Sequence, residues 1–135
     1  MRANDLKEPT KDVLKDATPS ALKAAIKIME SWSCNHSQMA IILGISNSSL
    51  RRYLKHPEQA RLSHDQQTRL SYVLNIYQSI RTIFNNPTNV DNFMSLKNHN
   101  GLFQGRAPLD LLLEGSIENM MDTYKHIDSI ANGQW

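Results

Sequence analysis

Cysteine is nearly absent from this sequence. Cys34 stands alone, so no internal disulfide can form and no cysteine pair is at hand to complete a zinc site. No signature of an activated thiol surrounds it, and it reads as an inert side chain. Long apolar runs are absent too. The longest, Met39-Ala40-Ile41-Ile42-Leu43, falls far short of the roughly 20 residues that span a bilayer. Met1-Arg2-Ala3-Asn4-Asp5 leads into mixed charge rather than the apolar core of a secretory signal. These features point to a cytoplasmic chain with no membrane partner. Signatures of catalysis are missing as well. His36, His56, His64, His99 and His126 show no HExxH or other ligand-like spacing, and there is no Gly-rich phosphate loop and no nucleophile elbow. The expectation is therefore no enzyme, no metal and no cofactor.

What is present suits a folded helical protein. Of the 135 residues 40% are hydrophobic and 21% charged, enough apolar side chain for one compact domain or two small lobes sharing a core. The formal net charge of +2 is unevenly spread. Residues 1–106 carry 14 Lys/Arg against 8 Asp/Glu, a net of +6, whereas residues 107–135 set Lys125 against Asp110, Glu114, Glu118, Asp122 and Asp128, a net of −4. The basic part suits nucleic acid. The acidic part either suits a basic protein surface or is a solvated face.

Residues 1–16 show no sustained period and read as a mobile arm with room for one helical turn. Thr18-Pro19 has the form of a helix cap and first position, followed by Leu22, Ala25, Ile26, Met29 and Trp32 at three- and four-residue spacing. A short helix is expected from His36 to Leu43, stopped by Gly44, and another behind Ser46, ending near His56-Pro57. Ser63 with Gln66 has capping-box spacing. Behind it Leu70, Val73, Leu74, Tyr77, Ile80, Ile83 and Phe84 form an apolar stripe expected to be the longest helix. Val90, Phe93, Met94 and Leu96 predict a short helix, Pro108 opens another that Gly115 ends, and Ser116 caps a last one. That last helix carries Ile117, Met120, Met121, Tyr124, Ile127 and Ala131 on one face and closes at Gly133. No alternating run is long enough for a strand.

His36 to Lys55 has the residue sizes of a helix-turn-helix: small Ala40 where two helices meet, Gly44 in the turn, and Met39, Leu43, Ile45, Leu50 and Tyr53 at the locking positions. Asn47, Ser48, Arg51, Arg52 and Lys55 then point outward on the second helix, a set without an acid. Asn can pair with adenine, Arg with guanine, and Ser with base edges or phosphate. Ser46 marks a helix start that can take a phosphate, and His36, Ser37 and Gln38 are candidates for the adjoining backbone. The same motif can also serve as a packing scaffold. With so few basic residues a useful affinity calls for a dimer on two half-sites.

Gly105-Arg106-Ala107-Pro108-Leu109-Asp110-Leu111-Leu112, followed by Glu114-Gly115, resembles the toxin-binding domain of the Xre/MbcA/ParS antitoxins. The closing amphipathic helix and apolar C-terminus do so too, across roughly residues 18–135. Where the family pattern has Trp-Leu and a Gly pair, this chain has Phe93-Met94 and Gln104-Gly105. The resemblance implies an all-α fold, with an N-terminal Xre-like helix-turn-helix bundle followed by a small helical toxin-binding domain. The expected division is an arm over 1–17, a DNA-binding domain over 18–86 and a toxin-binding domain over 87–135. It also implies a homodimer that represses its own operon and neutralises a RES-domain toxin, which consumes NAD. The residues expected to meet that toxin are Arg106, Asp110, Met121, Lys125, Asp128 and Trp135. Arg106, a five-donor fork, equally suits an internal cap or salt bridge, and Met120, Met121 and Tyr124 suit either core or a soft binding face. A stand-alone helix-turn-helix regulator is the alternative function.

Overall fold

A computed structural model describes residues 11–99 and 101–133. Its helices are α1 (Lys11–Ser31), α2 (His36–Leu43), α3 (Asn47–Lys55), α4 (His64–Ile83), α5 (Pro87–Asn92), α6 (Pro108–Leu112) and α7 (Ile117–Ala131), with 3-10 turns at Pro57–Gln59 and Phe93–Ser95. Among the described residues there is no strand; a single antiparallel bridge, Asn98 to Arg106, closes the loop before α6. The fold is all-α, as the sequence predicts.

Most helix starts are set by local chemistry. The side chains of Asn35, Ser46, Ser63, Asn86 and Ser116 each accept a main-chain N–H of the helix that follows, a contact worth about 0.5–2 kcal/mol at each end. Pro87 and Pro108 occupy first-turn positions where no N–H is missed.

The start of α1 is different. Thr18-Pro19 reads as a cap, but the helix runs through it from Lys11. A proline inside a helix forfeits one hydrogen bond and disfavours the residue before it. Thr18 is buried, so packing holds it helical where local preference would not. Of the expected arm, residues 1–10 lie outside the described residues and 11–17 form the first turns of α1. At 21 residues α1 also exceeds α4, at 20.

The core is organised around α4, which buries two rows. Leu70, Val73, Tyr77, Ile80 and Phe84 recur at three and four residues on the side of α1 and α5. Leu22, Ala25 and Met29 of α1 and Trp32, just past its end, are fully enclosed, and Leu74 and Tyr77 line a groove of about 430 Å³ with Ala24, Ile28 and Ser31. The second row, Arg69, Tyr72, Ile76, Ser79 and Ile83, meets α7. Tyr72 packs on Tyr124 with ring centroids 5.8 Å apart, and Ser79 Oγ donates to Asp128 Oδ1 at 3.2 Å. The apolar stripe legible in the sequence takes in the first row, together with Leu74 beside it and Ile83 of the second row. Ile76, fully buried, belongs to the second, whose polar members hide it. Leu96, expected in an apolar helix face, is instead 61% exposed, because the chain leaves its 3-10 turn at that residue.

Cys34 is buried at the corner between α1 and α2. Burial pushes its thiol up to about 11, so near neutral pH it stays protonated and a poor nucleophile. Iodoacetamide at pH 8 should label the native chain far more slowly than the urea-unfolded chain; equal rates would overturn this placement. Because the folded chain holds the thiol proton more tightly than the unfolded chain, the stability linked to Cys34 is intact below the ordinary thiol value of 9.0 and is lost as pH rises toward 11. For the core, Ile76→Ala should cost about 2–5 kcal/mol in a urea titration, and circular dichroism should show helical content throughout the molecule lost in one transition, because α4 is shared.

Candidate nucleic-acid interface

The helix-turn-helix is assembled from three local devices. Asn35 Oδ1 accepts the Gln38 N–H while Gln38 Oε1 accepts the Asn35 N–H, both at 2.8 Å, which fixes the start of α2. Gly44 ends α2 with φ +68°, a left-handed geometry that favours glycine. The Ile45 N–H then donates back to the Ala40 carbonyl at 3.1 Å. Ser46 Oγ accepts the Ser49 N–H at 3.0 Å and so starts α3. Ala40, Met39, Ile42 and Leu43 are buried, as are Leu50 and Tyr53 on the inner side of α3.

The end of α3 is pinned as well. The Tyr53 hydroxyl lies 3.4 Å from both the N–H and the carbonyl of Arg61, which ties α3 to the segment entering α4. Gln66 uses both ends of its amide. Its Oε1 accepts the Ser63 N–H at 2.8 Å, and its Nε2 donates to the Gly44 carbonyl at 3.0 Å.

With Leu50 and Tyr53 inward, Ser48, Arg52 and Lys55 fall on the opposite ridge of α3, four and seven residues apart, and Asn47 and Arg51 flank it. All five are exposed. Arg52 is steadied by its neighbour: the guanidinium stands 5.2 Å from the Tyr53 ring centroid, with Nη2 3.4 Å from the hydroxyl. A cation held over an aromatic face remains free to present its outer edge. Among the described residues no carboxylate forms an ion pair with Arg51, Arg52 or Lys55, so the ridge presents uncompensated positive charge.

His36 and Ser37 are exposed at the start of α2, beside this face, and Gln38 is half-buried with its carbonyl oxygen engaged in the cap. The Ser46 hydroxyl accepts from Ser49 and donates to Ser49 Oγ at 3.0 Å. A phosphate at this end would therefore be met by main-chain N–H groups rather than by that hydroxyl.

The residues expected to meet a toxin fall into two groups. Arg106 Nη1 lies 3.6 Å from Glu114 Oε1, both side chains about half exposed at 50% and 51%, so the internal ion pair that its residue type allows is present. Asp110 Oδ2 accepts the Ala107 N–H at 3.2 Å, at the start of α6. Met121, Lys125 and Asp128 stand four and seven residues apart along one row of α7. Lys125 is exposed, Met121 half-buried, and Asp128 is engaged by Ser79 and by Asn132 Nδ2 at 3.3 Å. Trp135 lies outside the described residues. One side chain is missing from the sequence-based candidates: Arg69, whose only sequence signal is its four-residue spacing from Asp65, links α4 to Gly115, 46 positions on, next to Glu114, which Arg106 and Asn119 engage locally.

Fold and site together define a helix-turn-helix protein with a basic, acid-free recognition helix. Residues 14–75 match the family model of the antitoxin Xre-like helix-turn-helix domain, which supports an Xre-type antitoxin family and a role as a DNA-binding antitoxin or regulator. The chain is also similar to Uncharacterized protein y4oB of Sinorhizobium fredii (strain NBRC 101917 / NGR234), 24% identical over 116 residues that cover 85% of this chain and 87% of that protein. No described helix is long and apolar enough to cross a membrane.

Arg52→Ala should weaken binding by roughly 1–3 kcal/mol, the worth of one specific base contact, to a DNA fragment that the unsubstituted chain shifts. Circular dichroism should be unchanged, since the side chain is exposed. A mobility shift identical to that of the unsubstituted chain would remove Arg52 from the interface.

Proposed function

We propose that this chain is the antitoxin of a toxin-antitoxin pair, which neutralises a RES-type, NAD-consuming toxin and represses its own operon as a homodimer. The observation that carries the reading is the outward ridge Ser48-Arg52-Lys55 with its flanks Asn47 and Arg51, free of acid, in a segment that matches an antitoxin helix-turn-helix. Phosphate contacts from His36, Ser37, Gln38 and the start of α3 would set register, and the ridge would read base edges in the major groove. Two copies on two half-sites supply the affinity that one modestly basic copy lacks.

The toxin side rests on the resemblance of Gly105 to Leu112 and on the charge of the last 29 residues. Arg106, Asp110, Met121, Lys125, Asp128 and Trp135 are the proposed contacts, arranged as a group at the start of α6, a row on α7, and the chain end. Residues 18–86 serve DNA and residues 87–135 the toxin, with α4 packed against both. A stand-alone regulator would use the same recognition helix and would need no toxin, so co-purification with the product of an adjoining gene separates the two readings.

Removing Asn132 to Trp135 leaves the packed part of α7 and the helix-turn-helix in place. The shortened chain should fold and shift its promoter fragment, yet fail to protect cells from the partner toxin, because aromatic and Arg side chains often dominate such interfaces. Growth rescue and preserved cellular NAD equal to those of the full chain would move the contact back to the segment around Gly105 to Leu113.

A further inference from the structure

Arg69 lies outside every residue expected to touch DNA or a toxin, yet its guanidinium joins three parts of the chain. Nε donates to Asp65 Oδ2 at 2.8 Å, one turn earlier on α4. Nη1 donates to the main-chain carbonyl of Gly115 at 2.7 Å. The side chain is only 12% exposed, and it passes so close beneath Gly44 that a Cβ there would stand 3.1 Å from Nε and 3.2 Å from Cδ. Gly44 is the turn from which α3 departs, and Gly115 is the joint between α6 and α7. Next to that joint, Glu114 faces Arg106 and also accepts from Asn119 Nδ2 at 2.5 Å.

The geometry points to Arg69 as a positioning residue that couples the α6–α7 joint to the setting of the DNA-reading helix. The inference rests on the DNA-binding reading of α3 and extends it to regulation. A guanidinium is a planar fork whose donors point in fixed directions, so it meets Asp65 and Gly115 together only while the joint keeps its present place against α4. A protein partner whose carboxylate claims Arg106 takes away the cation facing Glu114. The joint beside Glu114 then moves, the Gly115 carbonyl moves with it, Arg69 follows, and the packing under Gly44 changes. The route is a chain of direct contacts from Arg106 to Glu114, along the main chain to Gly115, and through Arg69 to Gly44. Linkage makes it reciprocal: operator DNA alters the affinity for that partner by the same factor as the partner alters the affinity for DNA.

The test uses the full chain with Gly115→Ala, Arg69→Met, Arg69→Lys and the two double variants. Gly115 has φ +85°, and a Cβ there would sit 3.5 Å from Ile41 Cγ2, so alanine strains the joint without a steric collision. Amide hydrogen exchange is read at Gly44 to Ser49, with Leu70 to Ile80 as the control for overall stability. Gly115→Ala should speed exchange at Gly44 to Ser49 by about fivefold or more relative to the control. In the Arg69→Met background the same change should have an effect below about twofold, because the coupling has been removed. Lysine keeps the charge, but its single flexible ammonium lacks the two separated, fixed-direction nitrogens that meet Asp65 and Gly115, so Arg69→Lys should behave like Arg69→Met, and it is the background used if Arg69→Met does not fold. Equal acceleration in all backgrounds, or acceleration shared evenly with the control, overturns the proposal. A promoter mobility shift runs alongside. An unsubstituted chain that fails to shift any promoter fragment overturns the DNA-binding reading, while the exchange data still decide whether Arg69 transmits.

Discussion

Everything in this molecule hangs on α4 being buried from two directions. A surface helix needs one apolar stripe, but α4 packs one row on α1 and α5 and a second on α7. The second row tolerates Arg69 and Ser79 because each finds a partner across the contact, the Gly115 carbonyl and Asp128 respectively. Buried polar groups cost little when so matched and a good deal when orphaned. Neither half of the chain therefore has a closed core of its own.

This arrangement explains what could and could not be read from the sequence. Starts and stops governed by a few neighbouring residues were legible: the cap at Ser63 with Gln66, the stop at Gly44, the cap at Ser46 and the break at His56-Pro57 all lie where local chemistry puts them. The candidate recognition residues were legible for the same reason, since a helix-turn-helix is specified within 20 consecutive positions. What failed depended on distant contacts. Thr18-Pro19 has every local mark of a helix start, and only burial against the bundle carries the helix through it. Ile76 was invisible because its row is mixed in polarity and becomes apolar surroundings only once α7 is in place. Arg69 gave no signal beyond its spacing from Asp65, because Gly44 and Gly115 lie in other segments.

The two candidate surfaces differ in how much the fold commits them. On α3 the side chains aimed outward have few internal duties, and the frame beneath them is fixed by the Asn35 cap, the Gly44 turn and the Tyr53 hydroxyl. Such a surface meets a ligand with its backbone already set, and the ordering cost falls on its long exposed side chains. Around α6 and α7 the polar residues are already employed: Arg106 with Glu114, Asp110 with the Ala107 N–H, Asp128 with Ser79 and Asn132. A partner on that side must exchange existing contacts for new ones, which favours discrimination between partners over raw strength.

The separation in sequence between the two sides of the α4–α7 contact has a consequence during synthesis. Arg69 meets Gly115 across 46 positions and Ser79 meets Asp128 across 49. At about 5–20 residues per second, the ribosome delivers α4 several seconds before α7. In that interval the nascent chain has its helix-turn-helix but leaves the Tyr72-Ile76-Ser79 side of α4 bare. A message cut short before α7 would yield a fragment with an open apolar flank, the kind of surface that cellular proteases and chaperones act on first.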